Sequence, residues 1–121
     1  MIARRRRKLE FLRSLPWLAE LERKQAMRDI VNRINYGADV NETDSNGTTA
    51  LMATLGLGYP TTASLLRRGA DVHTRDIHGR TALHYAAQIQ NDPLLQLLID
   101  AGADVNAASN DGVTPLTERP R

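Results

Sequence analysis

The chain has 121 residues, a formal net charge of +2 at pH 7, only 4% aromatic residues and no cysteine. The lack of cysteine excludes a disulfide framework and thiolate metal sites, and it suits a reducing compartment, for which we expect the cytoplasm or the nucleus. No apolar run approaches the ~20 residues of a membrane-spanning helix, and no apolar segment follows the first arginines as a secretory signal would require. The net charge hides an asymmetry, since residues 1–36 hold ten Arg and Lys against four Asp and Glu, whereas residues 37–121 hold six against ten. Such asymmetry is informative about partners rather than about the fold.

Residues 1–13 are predicted to form a basic N-terminal arm. Its five adjacent cations are Arg4, Arg5, Arg6, Arg7 and Lys8. A run of this kind occurs in nuclear import signals and nucleic-acid-binding patches, but also in solvated chain ends, and both interpretations stay open. A mitochondrial presequence is disfavoured by the acidic residues within the first 22 positions. The helical spacing of Phe11, Leu15 and Leu18 predicts that the arm continues as a helix toward the rest of the chain.

Residues 14–36 are predicted to be a capping unit of two helices. The first helix starts at Ser14-Leu15-Pro16, because proline is tolerated in the first turn of a helix. Its apolar residues are Leu18 and Leu21, and those of the second helix are Met27, Ile30, Val31 and Ile34. The unit is rich in charged residues, as expected of a terminal repeat with one face in water.

From position 37 onward the sequence repeats itself. The register is set by two series of glycines, namely Gly37, Gly69 and Gly102, and Gly47, Gly79 and Gly112. Members of the first series are 32 and 33 residues apart, and each member of the second follows ten residues later. A period near 33 residues is typical of a stack of similar structural units. The predicted units are a second at about residues 41–68, a third at 73–101 and an incomplete fourth at 106–121.

The second and third units carry signals for two helices, and the incomplete fourth unit carries a signal for the first helix alone. The first helices are predicted to begin at Thr49, Thr81 and Thr114, whose hydroxyl groups can accept hydrogen bonds from the first free backbone amides. Pro60 starts the second helix of the second unit, and Asp92-Pro93 starts that of the third, with Asp92 as N-cap. The first glycine series supplies left-handed C-caps, and the stretches that precede the second series are turns.

These motifs resemble those of the ankyrin repeat family. The carriers of the resemblance are TALH at residues 81–84, TPL at 114–116 and GADVN at 37–41 and 102–106. The resemblance covers residues 14–121 and implies an all-α fold, an α-helical solenoid with β-hairpin fingers, in which each repeat has two antiparallel helices. It also implies a non-catalytic role as a protein-interaction scaffold. His84 matches the family's structural histidine, whose ring bonds to local backbone and hydroxyl groups.

The sequence contains no pattern of catalytic residues. Its serines lie outside any nucleophile-elbow motif, and the glycines around Leu57 lack the Lys and Ser/Thr of a phosphate-binding loop. The three histidines, His73, His78 and His84, fall on different predicted elements, which disfavours a metal site. We therefore expect no enzymatic activity, no metal and no cofactor.

The candidate binding residues are those that the repeat motif leaves free. At the fingertips they are Ser45, Asn46, Thr48, Ile77, His78, Arg80, Asn110, Asp111 and Val113, and on the exposed side of the third unit's first helix they are Tyr85, Gln88 and Ile89. We hold open whether Tyr85 serves an interface or packs on a neighbouring finger. The expected partner is another protein with a basic or mixed surface. The alternative is a nuclear or nucleic-acid-associated protein that acts through the basic arm, and its binding would weaken steeply with salt. A third possibility is that the chain is a short isoform of a longer protein.

Overall fold

The computed structural model describes residues 16–118, so the predicted basic arm lies outside the described residues. Its helices are α1 (Pro16–Asn35), α2 (Ala50–Ala53), α3 (Tyr59–Arg67), α4 (Ala82–Gln88), α5 (Asp92–Asp100) and α6 (Pro115–Glu118), and a short 3₁₀ helix spans Leu55–Leu57. None of the helices in this range is both long and apolar enough to cross a membrane.

The helices stack in two rows. The first helices of successive units, α2, α4 and α6, contact one another in that order, and the second helices α3 and α5 form a neighbouring row. Helix α1 packs at the start of the stack against α2 and the 3₁₀ helix. Each unit contacts its neighbours in sequence, which confirms the predicted all-α repeat stack.

Helix α1 is a single helix of 20 residues, so the predicted pair of helices in the capping unit is wrong. The residues between the two predicted helices, 22–26, are all good helix formers and include neither glycine nor proline. Lys24 also lies 3.5 Å from the carboxylate of Glu20 one turn earlier, a pair that adds about 0.2–0.5 kcal/mol to a helix. Local propensity therefore overrides the repeat pattern here.

The long helices end in the same way. After α1, α3 and α5 the chain turns at the first glycine series, with φ of +105°, +91° and +99°. In each case the amide of the following alanine donates to a carbonyl one turn back, as when Ala70 N bonds to Leu65 O at 3.0 Å. This is the predicted left-handed C-cap. The aspartates that follow accept from the amide two residues on, with Asp71 Oδ1 lying 2.8 Å from His73 N.

The N-cap of α2 follows the prediction, whereas that of α5 needs a correction. Thr49 Oγ1 accepts from Met52 N at 3.3 Å, as expected of a threonine before a first helix. The N-cap of α5 is Asn91, whose Oδ1 accepts from Leu94 N at 3.2 Å, and Asp92 is already the first helical residue. With Asn91 as N-cap, Pro93 lies at the second helical position, still within the first turn, where proline is tolerated.

The core runs between the two rows of helices. Its fully buried leucines are Leu51, Leu65, Leu83, Leu94 and Leu98. Leu116 holds the same repeat position in α6 as Leu51 and Leu83 in the earlier first helices, yet it is 62% exposed. Within the described residues nothing covers it, so its apolar side chain is exposed to water.

Candidate functional site

Three fingers, at residues 43–48, 75–80 and 108–113, project between the helix pairs. The predicted β-hairpins are only tight turns, because residues 16–118 contain no strand and a single isolated bridge, between Thr43 and Thr49. Each finger is closed by one backbone bond across its base, such as Asp76 N to Arg80 O at 2.9 Å, and one across its tip. The fingers are too short for a ladder, so turn geometry rather than strand pairing holds them.

The fingertips are hydrogen-bonded to one another. Ile77 N donates to Asn46 O at 2.9 Å, and Asn110 N donates to His78 O at 2.9 Å. The side chain of Asn110 adds a third bond from Nδ2 to Ile77 O, also at 2.9 Å. At the base of the fingers, Asn41 accepts from the amide of Asp71 at 2.8 Å. The three fingers therefore form one continuous row rather than three independent loops.

The second glycine series allows the fingers to approach this closely. A Cβ atom on Gly79 would lie 2.4 Å from Asn110 Oδ1 and 2.8 Å from its backbone nitrogen. A Cβ atom on Gly47 would lie 3.0 Å from the Cα atom of Asp76, whereas one on Gly112 would meet nothing within 4 Å. Gly79 and Gly47 thus serve both the left-handed turn and the contact with the next finger, and Gly112 serves the turn alone.

The tips present a mixed set of side chains to solvent. The exposed predicted binding residues of the fingers are Ser45, Asn46, Ile77, His78, Asn110 and Asp111, whereas Thr48, Arg80 and Val113 are half-buried. Ile77 stands out because it is 55% exposed at the centre of the row. A large apolar side chain held in water on a fixed turn is the kind of group that anchors an interface.

Asp76 fixes the second finger, which belongs to the third unit, to helix α4. Its Oδ1 accepts from the amides of His78 and Arg80 at 2.8 and 3.0 Å, and its Oδ2 accepts from the hydroxyl of Tyr85. Burial acts to raise the pKa of Asp76, but the Tyr85 hydrogen bond, the two backbone bonds and the charge of His78 outweigh it and hold the pKa below its ordinary value. The carboxylate is therefore a charged structural link between finger and helix.

The predicted binding residues of α4 are less available than the fingertips. Tyr85 and Ile89 are half-buried and pack against the core, so the expectation that both stand on the exposed side of the helix is wrong. Tyr85 lies over its own finger because its hydroxyl bonds to Asp76. Ile89 is the C-cap residue, where the chain leaves the helix and turns toward α5. Gln88 is exposed, as predicted.

His84 joins the third unit to the fourth. Its Nδ1 accepts from Thr81 N at 3.1 Å and lies 3.0 Å from Thr81 Oγ1, which confirms the expected bonding within the repeat. Because Nδ1 is an acceptor, the ring proton sits on Nε2, which donates to Val113 O at 2.9 Å. This second bond was not predicted, since it crosses to the next finger. Among residues 16–118, no three His, Asp or Glu side chains come together as metal ligands would.

A groove at the start of the stack was also missed by the sequence reasoning. It has a volume of about 200 Å³, and its floor is formed by Ile30 and Ile34 of α1 and by Ala50 and Ala53 of α2. Its rim carries Asp39, Glu42 and Asp44, together with Arg33, which lies 3.9 Å from Glu42. The groove arises because α1 is a single helix, and the sequence signal that could have revealed it was the lack of a turn residue at positions 22–26.

The sequence matches known repeat proteins over most of its length. The family model described as "Ankyrin repeats (3 copies)" matches residues 19–109. The chain is 38% identical to human "Ankyrin repeat and SOCS box protein 6" over 93 residues, which cover 69% of this chain and 22% of that protein. It is 35% identical to zebrafish "Neurogenic locus notch homolog protein 1" over 100 residues, which cover 80% of this chain and 4% of that protein. The chain thus spans only a small part of the relatives that it matches. With the glycine register, the stacked helix rows and the linked fingers, these matches show that the chain belongs to the ankyrin repeat family.

Proposed function

We propose that this chain is a non-catalytic protein-binding scaffold whose partner lies along the row of fingertips and the adjoining faces of α2 and α4. Ankyrin repeats generally mediate protein–protein interaction. The observation that carries the proposal here is the set of hydrogen bonds from tip to tip, in which Ile77 N bonds to Asn46 O and Asn110 N to His78 O. A surface that is already ordered loses little conformational entropy when a partner binds.

The chemistry of the row fits a protein partner with polar and apolar contacts. Ile77 offers an apolar anchor, His78 and Asn46 lie beside it as exposed polar groups, and Arg80 lies at the base of the same finger. The remaining predicted contacts are Ser45, Thr48, Tyr85, Gln88 and Ile89, of which the last three sit on or just after α4. Tyr85 and Ile89 would contribute through their exposed edges, since both pack on the core.

The charge of the repeat stack favours a basic or mixed partner surface. Residues 37–121 carry ten acidic against six basic side chains. Acidic residues steer association with basic surfaces and repel nucleic acid phosphates. We place this binding in the cytoplasm or the nucleus, for which the support is the cysteine-free sequence.

The test compares capture of cellular partners by three forms of the chain. The fingertip variant carries Ile77→Ala, His78→Ala and Arg80→Ala. The control variant carries Tyr59→Ala, Arg67→Ala and Gln96→Ala, which change similar side chains on the second helices. We expect the fingertip variant to lose partners that the intact chain and the control retain, with helical content equal in all three.

A fourth form, which lacks residues 4–8, separates this proposal from the alternative. If partners persist in the fingertip variant but disappear without the five cations, the basic arm carries the function. Capture that falls steeply with salt and is abolished by nuclease would identify the partner of the arm as nucleic acid.

A further inference from the structure

The first half of α1 extends beyond the stack, and almost all of its residues are exposed to solvent. Every residue from 17 to 26 is exposed except Leu18, which is half-buried. Trp17 and Leu21, one turn apart and hence on one face, are 61% and 51% exposed. A tryptophan and a leucine held together in water indicate a surface that lacks its partner.

The groove beside α2 is the position that a first helix of the capping unit would occupy. In the third unit, α4 fills the matching position, and its His84 reaches the carbonyl of Val113 just after the finger glycine of the next unit. The residue that corresponds to Val113 in the second unit is Thr48, directly after Gly47, and Thr48 lines the groove. The groove is therefore a vacant first-helix site.

The sequence that fits this site is at the start of α1. Leu18 stands 65 residues before Leu83, the same distance that separates Gly37 from Gly102, so Leu18 corresponds to the buried leucine of α4. The helix formers at 22–26 continue α1 without a turn, so the start of α1 does not reach the groove of its own chain. Folding it back within one chain would require breaking α1, with the loss of several helix hydrogen bonds.

The groove and the part of the chain that precedes the segment carry opposite charge. The groove rim carries Asp39, Glu42 and Asp44 against the single cation Arg33. Residues 1–15 carry six Arg and Lys against one Glu, whereas residues 17–24 carry two charges of each sign.

We propose that a second copy of the chain supplies the missing helix, with residues 17–21 of each copy seated in the groove of the other. The exchange is reciprocal, so it fills both grooves and closes as a two-fold dimer. It places Leu18 in the position of the buried leucine of α4 and buries Trp17 and Leu21 beside it. It leaves the fingertips open. The inference goes beyond partner binding and does not depend on it.

The test follows mass and tryptophan environment together in the full chain. Trp17 is the only tryptophan, so its fluorescence reports on the proposed contact alone. Over a concentration series we expect light scattering to move from the monomer mass of 13.4 kDa to twice that value. In parallel, Trp17 emission should shift to shorter wavelength and become protected from acrylamide.

Three variants locate the contact. Leu21→Glu changes a residue that is exposed in the monomer, so it should leave the fold intact and keep the protein monomeric at concentrations where the wild type is dimeric. Ala53→Arg, on the groove side, should do the same. Leu116→Glu, at the opposite end of the stack, should leave the dimer unchanged.

Several outcomes would overturn the proposal. A monomer with exposed Trp17 at every concentration would show that the groove takes no second copy. A monomer with Trp17 already protected would mean that the helix folds back within its own chain. A dimer that resists Leu21→Glu, or that Leu116→Glu abolishes, would place the contact elsewhere.

Discussion

Replacing Gly79 with alanine should destabilise the protein more than the same replacement at Gly112, although both glycines have a left-handed φ, +74° and +78°. An L-residue in that conformation costs about 1–2 kcal/mol, and both variants share this cost. At Gly112 nothing lies within 4 Å of the new methyl group, so no further loss is expected there.

At Gly79 the methyl group would lie 2.8 Å from the backbone nitrogen of Asn110, so the neighbouring finger has to move. That movement breaks the bonds from Asn110 to His78 O and to Ile77 O. Each bond contributes about 0.5–1.5 kcal/mol, which adds about 1–3 kcal/mol to the shared cost. We therefore expect a loss of about 2–5 kcal/mol for Gly79→Ala and about 1–2 kcal/mol for Gly112→Ala.

Urea unfolding followed by far-UV circular dichroism measures both losses, and equal m-values would establish that the comparison concerns stability alone. Gly47→Ala should fall between the two, since its methyl group would lie 3.0 Å from the Cα atom of Asp76. Equal losses at Gly79 and Gly112 would refute the reasoning, because they would mean that the bonds between fingertips contribute nothing.

The remaining predictions concern the links inside the stack. His84→Ala should cost about 1–3 kcal/mol in urea unfolding, because a buried amide and a carbonyl lose their partner, and a change below 0.5 kcal/mol would contradict the assigned bonds. Hydrogen bonds hold the pKa of Asp76 below its ordinary value of 3.8, so its stabilising effect is complete above that value and is lost as the pH falls from there through the lowered pKa. Asp76→Asn and Tyr85→Phe should therefore lower the free energy of unfolding at neutral pH, and their difference from wild type should shrink below about pH 4. A difference that grows in acid would contradict the lowered pKa of Asp76. Leu98→Ala should cost about 2–5 kcal/mol in thermal or urea unfolding. Leu116→Ala should change the free energy of unfolding by no more than about 0.5 kcal/mol, because the Leu116 side chain is already in water, and a larger loss would mean that this side chain is covered.

The sequence predicted those parts of the fold that short-range sequence patterns determine. The glycine register, the threonines before the first helices and Pro60 each act within one turn of the chain, so the units could be placed without a structure. The error in α1 came from giving the repeat pattern more weight than the helix formers at 22–26. The N-cap of α5 was misplaced by one residue because asparagine and aspartate cap equally well.

The candidate site could be predicted only in part. The fingertip residues followed from the turns, and most of them are exposed. The bonds from Ile77 to Asn46 and from His84 to Val113 join residues about 30 positions apart, and no local pattern encodes such pairs. The half-burial of Tyr85 depends in the same way on its bond to Asp76, which only the packed finger creates.

The most direct test of the binding surface is site-specific photocrosslinking with the full chain. A photoreactive phenylalanine analogue at Ile77, at the centre of the fingertip row, should give a crosslink to a partner protein. The same group at the exposed Gln96, on the second helix α5, should give none. Crosslinks from position 96 but not from position 77 would contradict the account and would move the partner to the opposite face of the stack.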